Sequence, residues 1–259
     1  MPKGEIEMAS ALKRAVKAAF PAVERFRARQ RYERELQAGE YELRLLPSLV
    51  SSGSLSIDVG ANSGAYSWHL SKLGPVVAFE PNPIYARRIE GIKGVRLERT
   101  ALSDHVGHAT LHIPLDSQGQ AAGGWATLEN RPAVEMASNI LVQVHTLDSY
   151  GLAPGFLKID VEGHEEAVLR GALETIRQSR PTILVEVEER HNEGSTSCVP
   201  AMLEAEGYHG FFYVSGQRLP ISEFDPAVHQ PPVDPKAFEG SFVRSAHAYY
   251  NNFLFLPAG

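Results

Sequence analysis

The sequence predicts an α/β fold in which a mostly parallel sheet is covered by helices on both faces. From Ser54 onward, short runs rich in Val, Ile and Phe alternate with stretches of helical periodicity, the pattern of such folds. Several of these runs are apolar at nearly every position, as strands are when both faces of a sheet are buried. With 43% hydrophobic residues in a chain of 259, a sizeable core is available, and disorder and fibrous repeats are excluded.

The first 49 residues have a different sequence pattern, which predicts a helical extension. Residues 5–38 place apolar side chains three to four positions apart, from Met8 to Phe26, among many basic ones. Pro21 is expected to kink this helix or to divide it. The apolar stripe fits packing on the domain or on a second copy of the chain, whereas the basic face fits an anionic membrane surface. Composition leaves these alternatives open.

The elements of the domain, which we place at residues 50–259, follow from periodicity and turn residues. We predict strands over 55–59, 76–80, 95–102, 156–161, 182–188, 211–214 and 253–256. We predict helices between them over 65–72, 84–91, 165–178 and 199–206. Two further strands, 108–113 and 141–146, flank a loop over 117–130 that is too long for a hairpin and is expected to cover something. Residues 215–250 are expected to cross the surface without strong periodicity.

Charge and cysteine content restrict the partners. The chain has 31 acidic and 25 basic residues, and ten of the basic ones fall in residues 1–50, so the remainder is distinctly acidic. A nucleic-acid surface needs clustered Lys and Arg, and nucleic acid is therefore not an expected partner. Cys198 is the only cysteine, which excludes an intramolecular disulfide. Because no apolar run reaches the length of a membrane span, we expect a cytoplasmic protein.

The first predicted strand ends in a turn suited to a nucleoside. Asp58, Gly60, Ala61, Asn62 and Gly64 lie in the run Asp-Val-Gly-Ala-Asn-Ser-Gly, which leads directly into a predicted helix. Small residues there let a ligand approach the backbone. Asn62 stands where a dinucleotide fingerprint has its second glycine, and the Asp58 carboxylate would repel a pyrophosphate. The turn therefore favours a nucleoside that has no phosphates and carries a cationic tail, which describes S-adenosylmethionine.

The second predicted strand ends in an acidic residue with the spacing of a ribose ligand. Glu80 follows Gly60 by twenty residues and is followed by Pro81 and Asn82. In nucleotide-binding α/β folds, a carboxylate at this place accepts hydrogen bonds from the ribose hydroxyls. We therefore expect Glu80, Pro81 and Asn82 to form the second part of the donor site.

A third acidic run marks the expected reacting centre. Asp160 ends a central apolar strand, at the edge where ligands of open α/β sheets bind. A carboxylate at the end of an apolar strand is costly unless it is paired or bound to a ligand. Asp160 is therefore expected either to hold the amino group of the donor or to contact the acceptor. His164 is the nearest side chain with a pKa suited to base chemistry at neutral pH. Glu165 and Glu166 are expected only to favour the helix dipole.

Glu186 lies near the end of the next predicted strand, on the same face as Glu188, and is expected beside Asp160. A catalytic role for Glu186 and an ion pair with an Arg of the helical layer are both compatible with the sequence. Asp160, Glu162 and Glu186 have the oxygen ligands that Mg²⁺ accepts, although no spacing requires a metal. His191 and His209 are expected on the surface or in loops.

These runs together resemble the FkbM-type S-adenosylmethionine-dependent methyltransferases. The resemblance extends over residues 50–257 and rests on the runs at 58–64, 79–82, 101–104, 252–257 and, above all, the Leu-Lys-Ile-Asp-Val-Glu-Gly run at 157–163. It implies a class I methyltransferase (Rossmann-like) fold with a seven-stranded sheet, a donor bound by the first two runs, and Ser103 and Asp104 near the adenine. It also implies O-methylation of a hydroxyl on a sugar or natural product, that is, a small-molecule or glycan acceptor.

Two other functions remain compatible with the sequence. One is an NAD-dependent oxidoreductase on a similar sheet, which Asn62 and the lack of a recognisable hydride-transfer set disfavour. The other is a catalytically silent nucleoside-binding module that uses the basic helix for assembly, against which the intact run at 160–163 argues. A homo-oligomer is compatible with either function.

Overall fold

The computed structural model describes residues 21–38, 40–114, 126–129, 137–231 and 249–259. The chain forms two units, which divide after Glu40, whereas the sequence-based boundary lies after residue 49. The described part of the first unit is helix α1, Pro21–Ala38. The rest of the predicted helix, residues 5–20, lies outside the described residues, so the role of the extension stays a prediction.

The second unit contains eleven described strands in two sheets. In chain order they are β1 (Ser56–Val59), β2 (Val76–Phe79), β3 (Val95–Glu98), β4 (Ala101–Leu102), β5 (Gly107–Pro114), β6 (Ala137–His145), β7 (Phe156–Ile159), β8 (Thr182–Glu186), β9 (Tyr208–Val214), β10 (Gln217–Pro220) and β11 (Asn252–Pro257). The described helices of this unit are α2 (Leu46–Leu49), α3 (Ala65–Leu70), α4 (Pro83–Ile89), α5 (Glu165–Arg170), α6 (Leu173–Ser179), α7 (Ser195–Ala205) and α8 (Pro226–His229). Short 3₁₀ turns span Tyr41–Arg44, Asp148–Tyr150 and Ile221–Glu223.

The main sheet has eight strands in the order β10-β9-β11-β8-β7-β1-β2-β3. Strands β3, β2, β1, β7 and β8 are parallel, and β11 runs antiparallel to both of its neighbours. Every residue of β1, β2 and β7 is buried, although successive side chains point to opposite faces, so both faces of the sheet are covered. The predicted α/β class with a mostly parallel sheet is confirmed, with β10 as an eighth strand at the edge.

The order of the strands fixes where a ligand can bind. Strand β1 continues through a helix to β2 on one side, and on its other side it pairs with β7, which comes much later in the chain. The carboxyl ends of β1, β2, β7 and β8 meet at one edge of the sheet. Open α/β sheets bind ligands at this edge, at the point where the strand order reverses.

The second sheet, in the order β4-β6-β5, corrects one sequence-based element. The predicted strand over 95–102 is two strands in different sheets, because the chain leaves the main sheet after Glu98 and Ala101 pairs with Val144 of β6. The two extra strands are confirmed as the antiparallel pair β5 and β6. From the predicted covering loop, only residues 126–129 are described, and Thr127 bridges to His112 of β5.

Two further differences have local causes. The predicted helix over 165–178 is divided into α5 and α6 at Gly171, where a Cβ would lie 2.0 Å from the Ser103 carbonyl oxygen, so the backbones cross there in close contact. Residues 215–250 also hold β10 and α8, which the sequence patterns did not predict. Ser215 and Gly216 both have positive φ, as the two central residues of a tight hairpin turn do, and the Ser-Gly pair was the available signal.

Candidate active site

A cavity opens at the carboxyl edge of β1, β2 and β7. Its volume is about 590 Å³, counting the space that is open to solvent. The strand ends contribute Gly60, Glu80 and Asp160 to the wall, and the segment 126–129 contributes another part of it. β4 and Leu111 of β5 add an apolar side. The cavity thus brings together residues from the three acidic runs of the sequence.

The turn after β1 is packed so closely that it requires glycine. Gly60 has a φ of 77°, and a Cβ on it would lie 1.8 Å from the carbonyl oxygen of Asp160. The amides of Gly60 and Ala61 donate to the Phe79 carbonyl at 3.0 and 3.1 Å, which fixes the turn against the end of β2. A ligand lying over this turn would therefore meet the ends of β1, β2 and β7 at once.

Glu80 is an acidic group of the cavity wall that two backbone amides hold in place. Its Oε2 accepts a hydrogen bond from the Asn62 amide and its Oε1 accepts one from the Asn82 amide, both at 2.7 Å. The residue is 6% exposed, and burial raises its pKa to about 7 although both amides favour the charged form. Each carboxylate oxygen keeps a second lone pair, so Glu80 can accept from the two hydroxyls of a ribose.

The other predicted donor residues take structural positions around this turn. Asp58 is buried under it and accepts a hydrogen bond from Ser67 of α3 at 2.5 Å; burial raises its pKa to about 6. Gly64 is the N-cap of α3, and Asn82 caps α4 by accepting from the Ile84 amide at 3.0 Å. Asp58, Asn82, Gly64 and the buried Ala61 lie behind the cavity wall and support it. Asn62 and Pro81 line the cavity directly.

Ser103 and Asp104 follow the apolar wall in sequence but do not line the cavity themselves. Thr100, Ala101 and Leu102 line the cavity, whereas Ser103 is buried behind it and Asp104 is exposed. The hydrogen bond with His105 and the nearby Arg170 lower the pKa of Asp104 to about 2. The contact of Ser103 and Asp104 with an adenine stays a prediction.

His164 lines the cavity with both of its ring nitrogens engaged. Its Nε2 lies 2.8 Å from Ser103 Oγ, and its Nδ1 lies 2.6 Å from Glu129 Oε1. Thr127 strengthens the same connection, because its hydroxyl donates to the Glu162 carbonyl at 2.8 Å. His164 therefore ties the segment 126–129 to the end of β7, and the sequence offered no signal for Glu129.

A buried lysine connects the two acidic strand ends. Lys158 of β7 is fully buried, and its Nζ donates to Asn252 Oδ1 at 3.0 Å. The same Nζ lies 3.9 Å from Asp160 Oδ2 and 3.9 Å from Glu186 Oε2. Glu186 also accepts a hydrogen bond from Asn251. Lys158 of the sheet is thus a cation near Glu186, whereas the ion pair considered from the sequence, as one of two alternatives, was with an Arg of the helical layer.

Comparison with known proteins identifies a family for the chain. The family model of the methyltransferase FkbM domain matches residues 58–211, which hold the end of β1, all of β2, β7 and β8, and all three acidic runs. The chain belongs to this family. No curated protein matches the methyltransferase chain.

The chain is also similar, at low identity, to several solved structures. A methyltransferase FkbM from Methylobacillus flagellatus is 14% identical, with a TM-score of 0.46 over 79% of this chain and 43% of that one, so this methyltransferase spans less than half of that protein's length. A SAM-dependent methyltransferase from Aquifex aeolicus is 13% identical, with a TM-score of 0.43 over 89% and 96% of the two chains. An rRNA methylase from Streptococcus thermophilus is 10% identical, with a TM-score of 0.44 over 84% and 95%.

The methyltransferase has an S-adenosylmethionine-type donor site by family, and the residues fit that donor. Carboxylates at the ends of β2 and β7 suit ribose hydroxyls and a cationic amino-acid tail, and they disfavour phosphates. In the described part of the chain, no three His, Cys, Asp or Glu side chains converge as metal ligands do, so Asp160, Glu162 and Glu186 do not form the oxygen cluster considered for Mg²⁺. Within the same residues, no helix is long and apolar enough to cross a membrane.

Two side chains near the site have contacts that the sequence patterns did not predict. No role was expected for Lys158, although a charged side chain inside an apolar strand indicates that a buried partner exists. His191 lies in a loop, as expected, but its side chain is only 10% exposed and approaches Glu162 at the cavity.

The buried carboxyls give an expected pH dependence of stability. Burial raises the pKa of Asp58 to about 6 and the pKa values of Glu80 and Glu165 to about 7. Each group binds its proton more tightly in the folded chain, so this stabilisation is present at low pH and is lost as the pH rises through these values. The ligand-free protein should be more stable at about pH 5.5 than at about pH 8, by on the order of a few kcal/mol. Urea unfolding at both pH values measures this, and higher stability at pH 8 would contradict it.

Proposed function

We propose that the protein transfers a methyl group from S-adenosylmethionine to a hydroxyl of a sugar or natural product. The observation that carries the proposal is the cavity itself, which has Glu80 fixed on the donor side and the carboxylates of Asp160 and Glu162 at the end of β7. The hydroxyl acceptor is the part that the family resemblance implies.

On the donor side, two carboxylates have distinct tasks. Glu80, held by two backbone amides, accepts from the ribose hydroxyls. Asp160 lies against the Gly60 turn, and its charged form is favoured by Lys158, so it faces the cationic tail of the donor. S-adenosylmethionine supplies an activated methyl group on a sulfonium.

On the acceptor side, the protein must align a hydroxyl oxygen with that methyl carbon and help to remove its proton. An alcohol is a poor nucleophile while it keeps its proton, and a general base contributes typically about 10²- to 10⁴-fold. Alignment supplies much of the rest of the rate. We assign to this side Glu162, which lines the cavity two residues beyond Asp160 and carries a second carboxylate.

The test is methyl transfer by the full chain, followed by mass spectrometry. Candidate acceptors are monosaccharides, their glycosides, phenolic natural products and, as the alternative acceptor class, structured RNA. We expect a gain of one methylene on a hydroxyl of one of the small molecules, and none when the donor is replaced by S-adenosylhomocysteine. Transfer to RNA alone, or to nitrogen alone, would contradict the proposal.

Asp160→Asn should weaken the binding of the amino-acid tail of the donor and leave the binding of its adenosine part unchanged. The neutral amide loses the attraction to the ammonium group, so S-adenosylhomocysteine should bind about tenfold more weakly. Methylthioadenosine, which has no amino-acid tail, should bind equally well to both proteins. Calorimetric titration with each ligand measures this, and an equal loss for both ligands would place Asp160 elsewhere in the site.

A further inference from the structure

A line of polar side chains leads from the cavity to the end of β8. Glu162 lines the cavity, and its Oε2 lies 3.2 Å from Nδ1 of His191. On the other side of the ring, Nε2 of His191 lies 3.7 Å from Glu188 Oε2. The three side chains are 15%, 10% and 4% exposed, so the imidazole is held between two carboxylates with little access to water.

The backbone at the cavity end of this line is strained. Glu162 has a φ of 55°, in the left-handed region that non-glycine residues rarely adopt. The conformation is held in place by the hydroxyl of Thr127, which donates to the Glu162 carbonyl, and by Glu165, which accepts from the Gly163 amide at 2.9 Å. Strain that the surroundings maintain is typical of positions where a side chain must point in one direction.

The far end of the line is fixed as a negative charge. Glu188 accepts hydrogen bonds from Arg190, from the Tyr249 hydroxyl at 2.9 Å and from Asn251 at 3.1 Å. Burial alone would raise the pKa of Glu188, but His191 and Arg190 outweigh it, and the pKa is lowered. Among the described residues, Glu162 faces His191 on one side and Glu188 on the other, with Arg190 and the neutral Tyr249 behind Glu188.

The protonation state of Glu162 decides which nitrogen of a neutral His191 carries the proton. While Glu162 is charged it attracts the ring proton to Nδ1, 3.2 Å away; once Glu162 is a neutral carboxyl, the charge on Glu188 favours the proton on Nε2, and the lone pair of Nδ1 is open to Glu162. His164, the histidine that the sequence singled out, has hydroxyl and carboxylate partners on both nitrogens and connects the segment 126–129 instead.

We propose that Glu162 takes the proton of the acceptor hydroxyl and passes it to His191, with Glu188 as the fixed counter-charge. The inference rests on the proposed O-methylation. As the hydroxyl oxygen bonds to the methyl carbon, the carbon–sulfur bond breaks and sulfur keeps its electron pair. The hydroxyl proton moves to the Glu162 carboxylate and then to Nδ1 of neutral His191, from which it leaves to solvent after the product departs. Glu162 is the catalytic residue, and His191 and Glu188 are positioning residues.

The first test needs no acceptor and uses NMR titration of the histidine ring protons in the full chain. The His191 signal is identified by its loss in His191→Gln. In Glu162→Gln and in Glu188→Gln, the midpoint of the His191 titration should move to lower pH, because each change removes a negative charge that stabilises the imidazolium. Glu193→Gln, a change of an exposed carboxylate in the same loop, is the matched control and should leave the midpoint in place. An unmoved midpoint in Glu162→Gln would overturn the relay.

The second test uses the hydroxyl acceptor that mass spectrometry identifies. Glu162→Gln should lower kcat about 100-fold while the affinity for S-adenosylhomocysteine stays within several-fold. In the wild type, kcat should rise with pH as His191 loses its proton, and in Glu188→Gln this rise should begin at lower pH. Unchanged kcat in Glu162→Gln would overturn the relay. A wild-type protein that methylates no hydroxyl would overturn the proposed function instead, whatever the titration shows.

Discussion

Lys158→Met should lower the free energy of unfolding by about 3 kcal/mol, the lower end of the range for removing one partner of a buried ion pair. The lysine is fully buried and is the cation next to both Asp160 and Glu186, at 3.9 Å from each. Its removal leaves two largely buried carboxylates without that cation and takes a hydrogen-bond donor from Asn252. Methionine has a similar volume, so the loss reports charge and hydrogen bonding more than packing. Urea unfolding at neutral pH measures it.

A double variant gives the sharper form of this test. The double variant Lys158→Met, Glu186→Gln also removes the negative charge of Glu186, one of the two carboxylates that lose Lys158. Part of the lost stability should therefore return. Lys93→Met, at an exposed position, serves as the control and should change stability by less than about 0.5 kcal/mol. A double variant less stable than Lys158→Met alone would show that Lys158 does not serve to balance these carboxylates.

Glu80→Ala should weaken the binding of S-adenosylhomocysteine ten- to a hundredfold, or about 1.5–3 kcal/mol. The change removes the carboxylate that the amides of Asn62 and Asn82 hold at the cavity wall. Because the pKa of Glu80 is raised to about 7, the wild-type affinity should also fall as the pH drops below that value. Calorimetric titration at two pH values measures both effects.

The matched control is Glu90→Ala, which removes an exposed carboxylate after α4 and should leave the affinity unchanged. Glu80→Gln keeps the size of the side chain and should lose the pH dependence along with part of the affinity. Equal affinity of the wild type and Glu80→Ala would remove Glu80 from the donor site.

The parts of the site that are local in sequence were the predictable ones. Gly60 and Glu80 follow strands in a strand-turn-helix order, and the carboxyl ends of parallel strands meet at one edge whatever the rest of the chain does. Their position in one cavity therefore follows from the fold class alone. The split of the helix at Gly171 did not, because its cause is a contact with the backbone of Ser103, from a distant part of the chain.

The contacts between distant segments could not be predicted from the sequence for the same reason. Lys158 and Asn252 are 94 residues apart, and His164 and Ser103 are 61 residues apart, so no periodicity or spacing links them. The position of His191 depends on the loop after β8, in which the Glu189 amide donates to Gln230 and the Glu189 carboxylate accepts from Thr196. Sequence patterns report which residues lie at a strand end, and only tertiary structure reports which side chains meet there.

A crystal structure of the full chain with S-adenosylhomocysteine tests the central claim most directly. We expect an adenosine that lies over the Gly60 turn, with both ribose hydroxyls within hydrogen-bond distance of the Glu80 carboxylate and the amino-acid tail beside Asp160. A ribose bound away from Glu80, or a ligand outside the cavity between the ends of β1, β2 and β7, would contradict it.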